Sequence, residues 1–387
     1  MLAEIDTAAN ARQYRIAISV FFFISGLGYS TWASRIPSIQ QQLHLNEAQL
    51  GAVLLALPIG LMLTMPVTGK LLGAFSSRKI MLYGALVFNV ILSLPGFATS
   101  VWQLALVLFC FGSARNLLNL SMNAQAVHIQ HMHHQSIITT FHGIWSIAGF
   151  TGAAIGYLMV TMNVAPSYHL LIISILLLGF TLVYYPKTYA DQPIVSDIKK
   201  PVFSLPDKSL LKYSLICFAC MATENTMYDW SGIYFQKVVH ASKPTATAAF
   251  VIYMIAMTTG RFAGDKLVAT IGIKKILHYS GWLILTGLSL AIIFPYPLPA
   301  GIGFVFAGFG VSCVVPLVFS LAGKSKNTNG GQTLAAISTI GYLGFLVVPP
   351  LVGFVAQATS LRYSFAIMAI CGVLIIGMVR GIKTTTP

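Results

Sequence analysis

The sequence predicts an all-α integral membrane protein, with twelve transmembrane helices arranged as two pseudo-symmetric six-helix bundles. Three observations carry that expectation. Of 387 residues, 56% are hydrophobic and only 8% charged, too few ionisable side chains to solvate a soluble globule of this size. Apolar runs long enough to cross a bilayer, roughly 20 residues each, recur along nearly the whole chain. Residue patterns of the first half also return in the second, at a spacing of roughly 195 residues.

The runs lie near 14–35, 48–69, 80–97, 101–127, 137–161, 167–185, 211–235, 245–260, 276–294, 298–321, 332–356 and 361–379. Most links between them are short and rich in Gly, Pro, Asn or Ser, as expected where a helix leaves the bilayer and turns. The long exception follows span six and carries Lys187, Asp191, Asp197, Lys199, Lys200, Asp207 and Lys208 with several prolines. It reads as a solvated linker over 186–210, joining a first bundle over 1–185 to a second over 211–387. The first span is too long for a signal peptide and lacks a small-residue cleavage site, so it is expected to be retained. All five cysteines fall inside spans and act as small apolar residues; Cys217 and Cys220 form a C-x-x-C, but in an apolar helix that spacing reads as packing.

Cations fall unevenly. With the N-terminus inside, eighteen of the 23 Lys and Arg lie on the cytoplasmic side, four (Arg35, Lys237, Lys243, Arg362) lie outside, and Arg115 lies within span four. This positive-inside bias places both termini in the cytoplasm. It also accounts for a net charge of +14 through contact with anionic lipid, and no nucleic acid partner is needed.

The repeat rests on residue types. Gly69, Lys70 and Gly73 after span two answer Gly260, Arg261 and Gly264 after span eight; Arg78, Lys79 and Gly84 answer Lys274, Lys275 and Gly281. Tyr29 and Trp32 in span one resemble Tyr228 and Trp230 in span seven, and Gly149, Phe150 and Gly156 resemble Gly344, Phe345 and Gly353. Paired halves of this kind imply a carrier with a site between them near the midplane. With these segments in view, the chain resembles the major facilitator superfamily. Gly260, Arg261, Phe262, Ala263, Gly264, Asp265 and Lys266 are similar to that family's signature loop between the second and third helices of a half, which implies a gating role for Gly260, Arg261, Gly264, Asp265 and Lys266. In the first half Gly73 stands where the family carries an acid. Further segments resemble a bacterial branch related to fucose permeases: Trp32, Ala33, Ser34, Arg35, Ile36 and Pro37; Met122, Asn123, Ala124, Gln125 and Ala126; Phe141, His142 and Gly143; Asp229, Trp230 and Ser231; and Gly341 to Phe345 with Pro349 and Pro350. The resemblance implies a monomer in a bacterial inner membrane, a sugar-like or other polar substrate, and no cofactor. Spans one and four carry no acid, unlike many proton-coupled relatives.

Ionisable groups at membrane depth need a cavity or a partner. Glu224 sits near the middle of span seven and Asp229 nearer its outer end, about 140° apart around a helix. Both are proton-coupling candidates, with Glu224 the stronger and a structural salt bridge the competing account. In span four, Arg115, Asn119 and Asn123 recur every fourth residue in one stripe, which the resemblance turns toward the substrate path; a polar seam between helices is the alternative. Arg115 has no acid on its own helix, so its charge is expected to meet Glu224 or an anionic group on the substrate. His142 and Trp145 lie one turn apart in span five, and Tyr29, Trp32, Tyr253 and Tyr342 are aromatic candidates for stacking on a substrate ring. His128, His131, His133 and His134 lack Cys or acid partners, and no metal is expected there. A secondary active transporter for a small polar metabolite, an organic anion or sugar-like compound moved with protons, is the leading expectation. Efflux of amphipathic compounds is the alternative, given 14 Met and 24 Phe. A lipid scramblase or membrane enzyme would need a lateral polar groove or a nucleophile, nucleotide or H-E-x-x-H motif, and no such motif is present.

Overall fold

A computed structural model describes residues 2–132, 137–193, 206–207, 210–323 and 330–382, and among them every regular element is helical. In chain order the helices are α1 (Leu2–Gln42), α2 (Glu47–Leu54), α3 (Ala56–Ala74), α4 (Ser77–Ser93), α5 (Val101–Gln130), α6 (Ile138–Thr161), α7 (Pro166–Tyr184), α8 (Leu211–Lys237), α9 (Lys243–Ile271), α10 (Ile273–Ile293), α11 (Pro297–Ser312), α12 (Val314–Gly323), α13 (Gly330–Ala358) and α14 (Leu361–Arg380). Span two is split into α2 and α3, and span ten into α11 and α12. Eleven stretches among the described residues are long and apolar enough to cross a membrane. The twelfth, α8, has the length at 27 residues but is more polar, and protein rather than lipid covers nearly all of its middle. The chain therefore has the expected fold of twelve helices in two six-helix halves.

Both breaks have the same cause. A proline lacks the N–H that would bond the carbonyl four residues earlier, and its ring crowds that carbonyl. Pro58 follows the α2/α3 junction at Leu55, and Pro316 follows the α11/α12 junction at Cys313. Pro37, Pro66, Pro349 and Pro350 are instead absorbed within continuous helices.

The two halves repeat their packing. In the first, α1 packs on α6 and α7, α3 and α4 each pack on α5, and α4 packs on α7; in the second, α8 packs on α13 and α14, α9 and α10 on α11, and α10 on α14. By contacts the chain forms two compact units, Met1–Leu43 with Ala56–Ile198, and His44–Leu55 with Lys199–Pro387. The sequence-based boundaries assign residues 44–55 to the first bundle, whereas α2 packs on α13. Gly51 and Gly353 make that approach close enough for backbones to touch, since a Cβ on either would overlap the other helix. Glu47 at the start of α2 pairs with Lys237 at the end of α8, and Asn46 and Gln49 close a reciprocal capping box.

Two expectations are corrected. The family-like segments do not form loops: Gly69 to Gly73 lie in α3, and Gly260 to Lys266 lie in α9, which runs on to Ile271. No proline interrupts either stretch, and the chain turns only at Gly272, whose φ of 83° suits glycine. Span one does not end at Arg35: α1 continues past it to Gln42, and Arg35 is 2% exposed, donating from Nε to His169 Nδ1 at 2.8 Å.

Gly353→Ala is expected to lower stability by about 1–3 kcal/mol, because the added methyl meets backbone that cannot rotate away. Thermal unfolding in detergent measures it, and an unchanged melting temperature would mean that α2 is not held at this contact.

Candidate functional site

In the first unit, α1 and α5 face each other through polar residues spaced at four. The Arg115 guanidinium lies 3.7 Å from the centroid of the Tyr29 ring. One turn along, Ser25 Oγ donates to Asn119 Oδ1 at 3.0 Å, and Asn123 Nδ2 donates to the Asn119 carbonyl at 2.8 Å. Stepping back four residues in α1 while stepping forward four in α5 is the register of an antiparallel pair. Asn116, beside the stripe, donates to Thr68 Oγ1 at 2.9 Å and belongs to a packed seam with α3. Tyr29 thus supplies Arg115 with a partner that sequence reasoning did not weigh. A ring face attracts the charge by about 1–2 kcal/mol when desolvated, yet leaves the in-plane N–H donors unused. Arg115 Nε is accordingly buried without an acceptor among the described residues.

The other first-half candidates separate by exposure. Trp32 is 1% exposed, with its indole N–H buried and without a partner among the described residues. His142 is exposed and stands edge-on to Phe22, with ring centroids 5.4 Å apart, while Trp145 one turn on is half-buried. His133 and His134 lie outside the described residues, and no group of three or more metal-ligating side chains comes together among those described.

In the second unit, Glu224 is the one residue between Ile216 and Phe235 on α8, apart from Phe218, that is not fully buried. Its Oε1 lies 3.4 Å from Arg261 Nη2, with the two side chains 13% and 24% exposed. The acid favoured for coupling and an arginine of the family-like segment are thus brought together on α8 and α9. Arg261 Nε also donates to the Ser312 carbonyl at 3.2 Å, and Cys313 Sγ donates to the Gly260 carbonyl at 3.2 Å. Gly264 lies against Cys313 one turn further, and Lys266 is exposed. The side chain of Asp265 lies outside the described set. Asp229 is 8% exposed and accepts from Asn225 Nδ2 at 3.2 Å. Tyr253 is fully buried among Tyr228 and Phe250, its hydroxyl directed at Met257 Sδ at 3.7 Å. Tyr342 is half-buried beside Phe345.

One acid was missed. Asp191, assigned by composition to a solvated linker, has a fully buried carboxylate that caps α4. It accepts from Ser77 N at 2.8 Å, Ser77 Oγ at 2.7 Å, Arg78 N at 3.1 Å and Gln125 Nε2 at 3.0 Å. Arg78 reaches back to Thr188 Oγ1 and the Pro186 carbonyl, and stacks over Tyr185. The sequence carried no signal for it, since Asp191 stands among the charged and proline-rich residues that follow span six.

A family model described as the Major Facilitator Superfamily matches residues 18–344. An uncharacterised MFS-type transporter of Yersinia pestis is 31% identical over 356 residues, covering 92% of each chain. Among solved structures, the nucleoside transporter NupG aligns with a TM-score of 0.73 at 16% identity, over 95% of this chain and 98% of NupG. The human organic anion transporter MFSD10 (TETRAN) aligns at 0.67 and 13%, over 95% of this chain and 99% of that one. At such identities the structural likeness is one of fold.

Asp191→Ala is expected to cost about 2–3 kcal/mol, because it uncaps α4 and strands buried donors at once. Thermal unfolding should show the loss, and an unchanged melting temperature would reduce the cage to a passive contact.

Proposed function

The chain belongs to the major facilitator superfamily, whose members here are transporters and not enzymes, and on that premise we propose a proton-coupled secondary transporter for a small polar metabolite bearing a negative group. The observation that carries the reading is Arg115. Its charge lies in a membrane-spanning helix, its face is taken by Tyr29, and its Nε meets no acceptor among the described residues. A guanidinium in that state suits a carboxylate or phosphate, which it can hold through two parallel hydrogen bonds. Asn119 and Asn123 on the same face supply neutral polar contacts of the kind a sugar-like or organic-acid body requires.

Glu224 is our choice for the coupling acid. It is partly accessible on an otherwise buried stretch of α8, and protonation would remove the charge that holds Arg261. His142, Trp145 and Tyr342 retain the exposure a substrate contact needs, whereas Trp32 and Tyr253 would have to be uncovered first. The segments similar to fucose permeases favour that branch. The cation distribution supports a bacterial inner membrane with both termini in the cytoplasm, and two bundles joined by the 186–210 linker acting as a monomer.

Flux into proteoliposomes tests the reading, using labelled succinate, fucose and uridine with and without a pH gradient. Gradient-driven accumulation of succinate in preference to the neutral solutes is expected; gradient-independent flux of all three would overturn it. Glu224→Gln should bring the accumulation ratio down to about one while leaving exchange largely intact, since the amide mimics the protonated acid. Arg115→Lys should weaken succinate binding by about tenfold or more, because an ammonium lacks the planar fork. Wild-type affinity in that variant would remove Arg115 from the site.

A further inference from the structure

The structure assigns to Arg261 a positioning role beyond its pairing with Glu224: it joins the acid on α8 to the proline-made break in span ten, so that the break responds to whether Glu224 carries a proton. This rests on the reading of Glu224 as a proton-loading group. Pro316 has no N–H to offer the Ser312 carbonyl, and Arg261 Nε fills that vacancy at 3.2 Å while Nη2 of the same guanidinium holds Glu224 at 3.4 Å. The preceding carbonyl, Val311, accepts from Cys220 Sγ at 3.5 Å, one turn before Glu224 on α8. Cys313, at the break itself, donates to Gly260, the neighbour of Arg261. The Ser312 carbonyl, the Val311 carbonyl and the Cys313 thiol are thus each bonded to one of the two helices that carry the ion pair, while Ser312 Oγ stays on its own helix and donates to the Phe309 carbonyl at 2.7 Å.

The planar guanidinium fixes the angle between its Nε and Nη2 donors, so the two acceptors are coupled through a rigid group. With Glu224 ionised, both ends of Arg261 are held and the junction is pinned. Once Glu224 is neutral, the attraction that orients the guanidinium falls, Arg261 turns to other acceptors, and the Ser312 carbonyl loses its donor. Lipid cannot replace it, so the junction opens to a different packing. Few other groups compete for Glu224. From its own helix Cys217, Cys220 and Tyr228 lie nearby, and from α9 Tyr253 and Arg261. Helices α11 and α12 carry no titratable side chain, α13 offers Tyr342, and on α14 Cys371 is bonded to Thr223 while Arg362 and Arg380 stand at the two ends.

Hydrogen–deuterium exchange of the full chain in lipid nanodiscs, without substrate, reads the junction directly. Compared at a single pH, the amides over 313–318 should exchange roughly tenfold faster in Glu224→Gln than in the wild type. Arg261→Gln should match Glu224→Gln. Pro316→Ala, which restores an N–H for the Ser312 carbonyl, should exchange slowly, and so should the double variant Glu224→Gln with Pro316→Ala. A Glu224→Gln junction that exchanges at the wild-type rate, or fast exchange that survives in the double variant, overturns the relay. Accumulation in proteoliposomes is scored separately: if Glu224→Gln still accumulates succinate, the coupling reading fails whatever the exchange shows. If accumulation is lost while the Glu224→Gln junction exchanges at the wild-type rate, coupling stands and the relay falls.

Discussion

A carbonyl in hydrocarbon has no water to turn to, and this constraint shapes the second half of the molecule. Continuous helices meet it internally, but Pro316 exposes one carbonyl of span ten and the protein must bring a donor from another helix. The donor is a cation, Arg261, which in turn needs an anion at membrane depth, and Glu224 supplies it. A single missing N–H thereby accounts for two charged residues that lipid alone would exclude. The first half solves its polar problem otherwise. Its counterpart of span ten, α5, contains no proline and runs unbroken for 30 residues, and its half-buried cation leans on the Tyr29 ring.

The halves also differ in where they keep their acids. In the first, the donors at the start of α4 are met by Asp191, which arrives from beyond span six and binds Gln125 of α5 at the same time. One carboxylate therefore fastens the beginning of the linker to two helices. The helix terminus it covers is a place where negative charge is favoured.

Much of this was legible from residue types. Apolar length disclosed the spans, and the fourfold spacing of Arg115, Asn119 and Asn123 disclosed a face, because periodicity is a property of one helix. The helix ends were not legible: Gly260 to Ile271 reads as a loop by polarity, yet nothing in it stops a helix once it leaves the apolar layer. Partners between helices escaped as well. Glu224 and Arg261 are 37 positions apart, and no local pattern says that α8 and α9 turn those faces toward each other. Span one likewise runs past residue 35 to Gln42, and the structure buries Arg35 against His169.

The five thiols are all free, and they are not equivalent. Cys220 and Cys313 donate to main-chain oxygens around the span-ten junction, whereas Cys110 is described with no such bond. A cysteine-free version of this protein, the usual starting point for site-directed spin or fluorophore labelling, therefore cannot treat the five as interchangeable. Serine keeps a donor at the two junction positions, but with a shorter bond to carbon and a stronger preference for a near acceptor. Alanine there would remove both thiol bonds at the junction and alter the motion that the labels were introduced to follow.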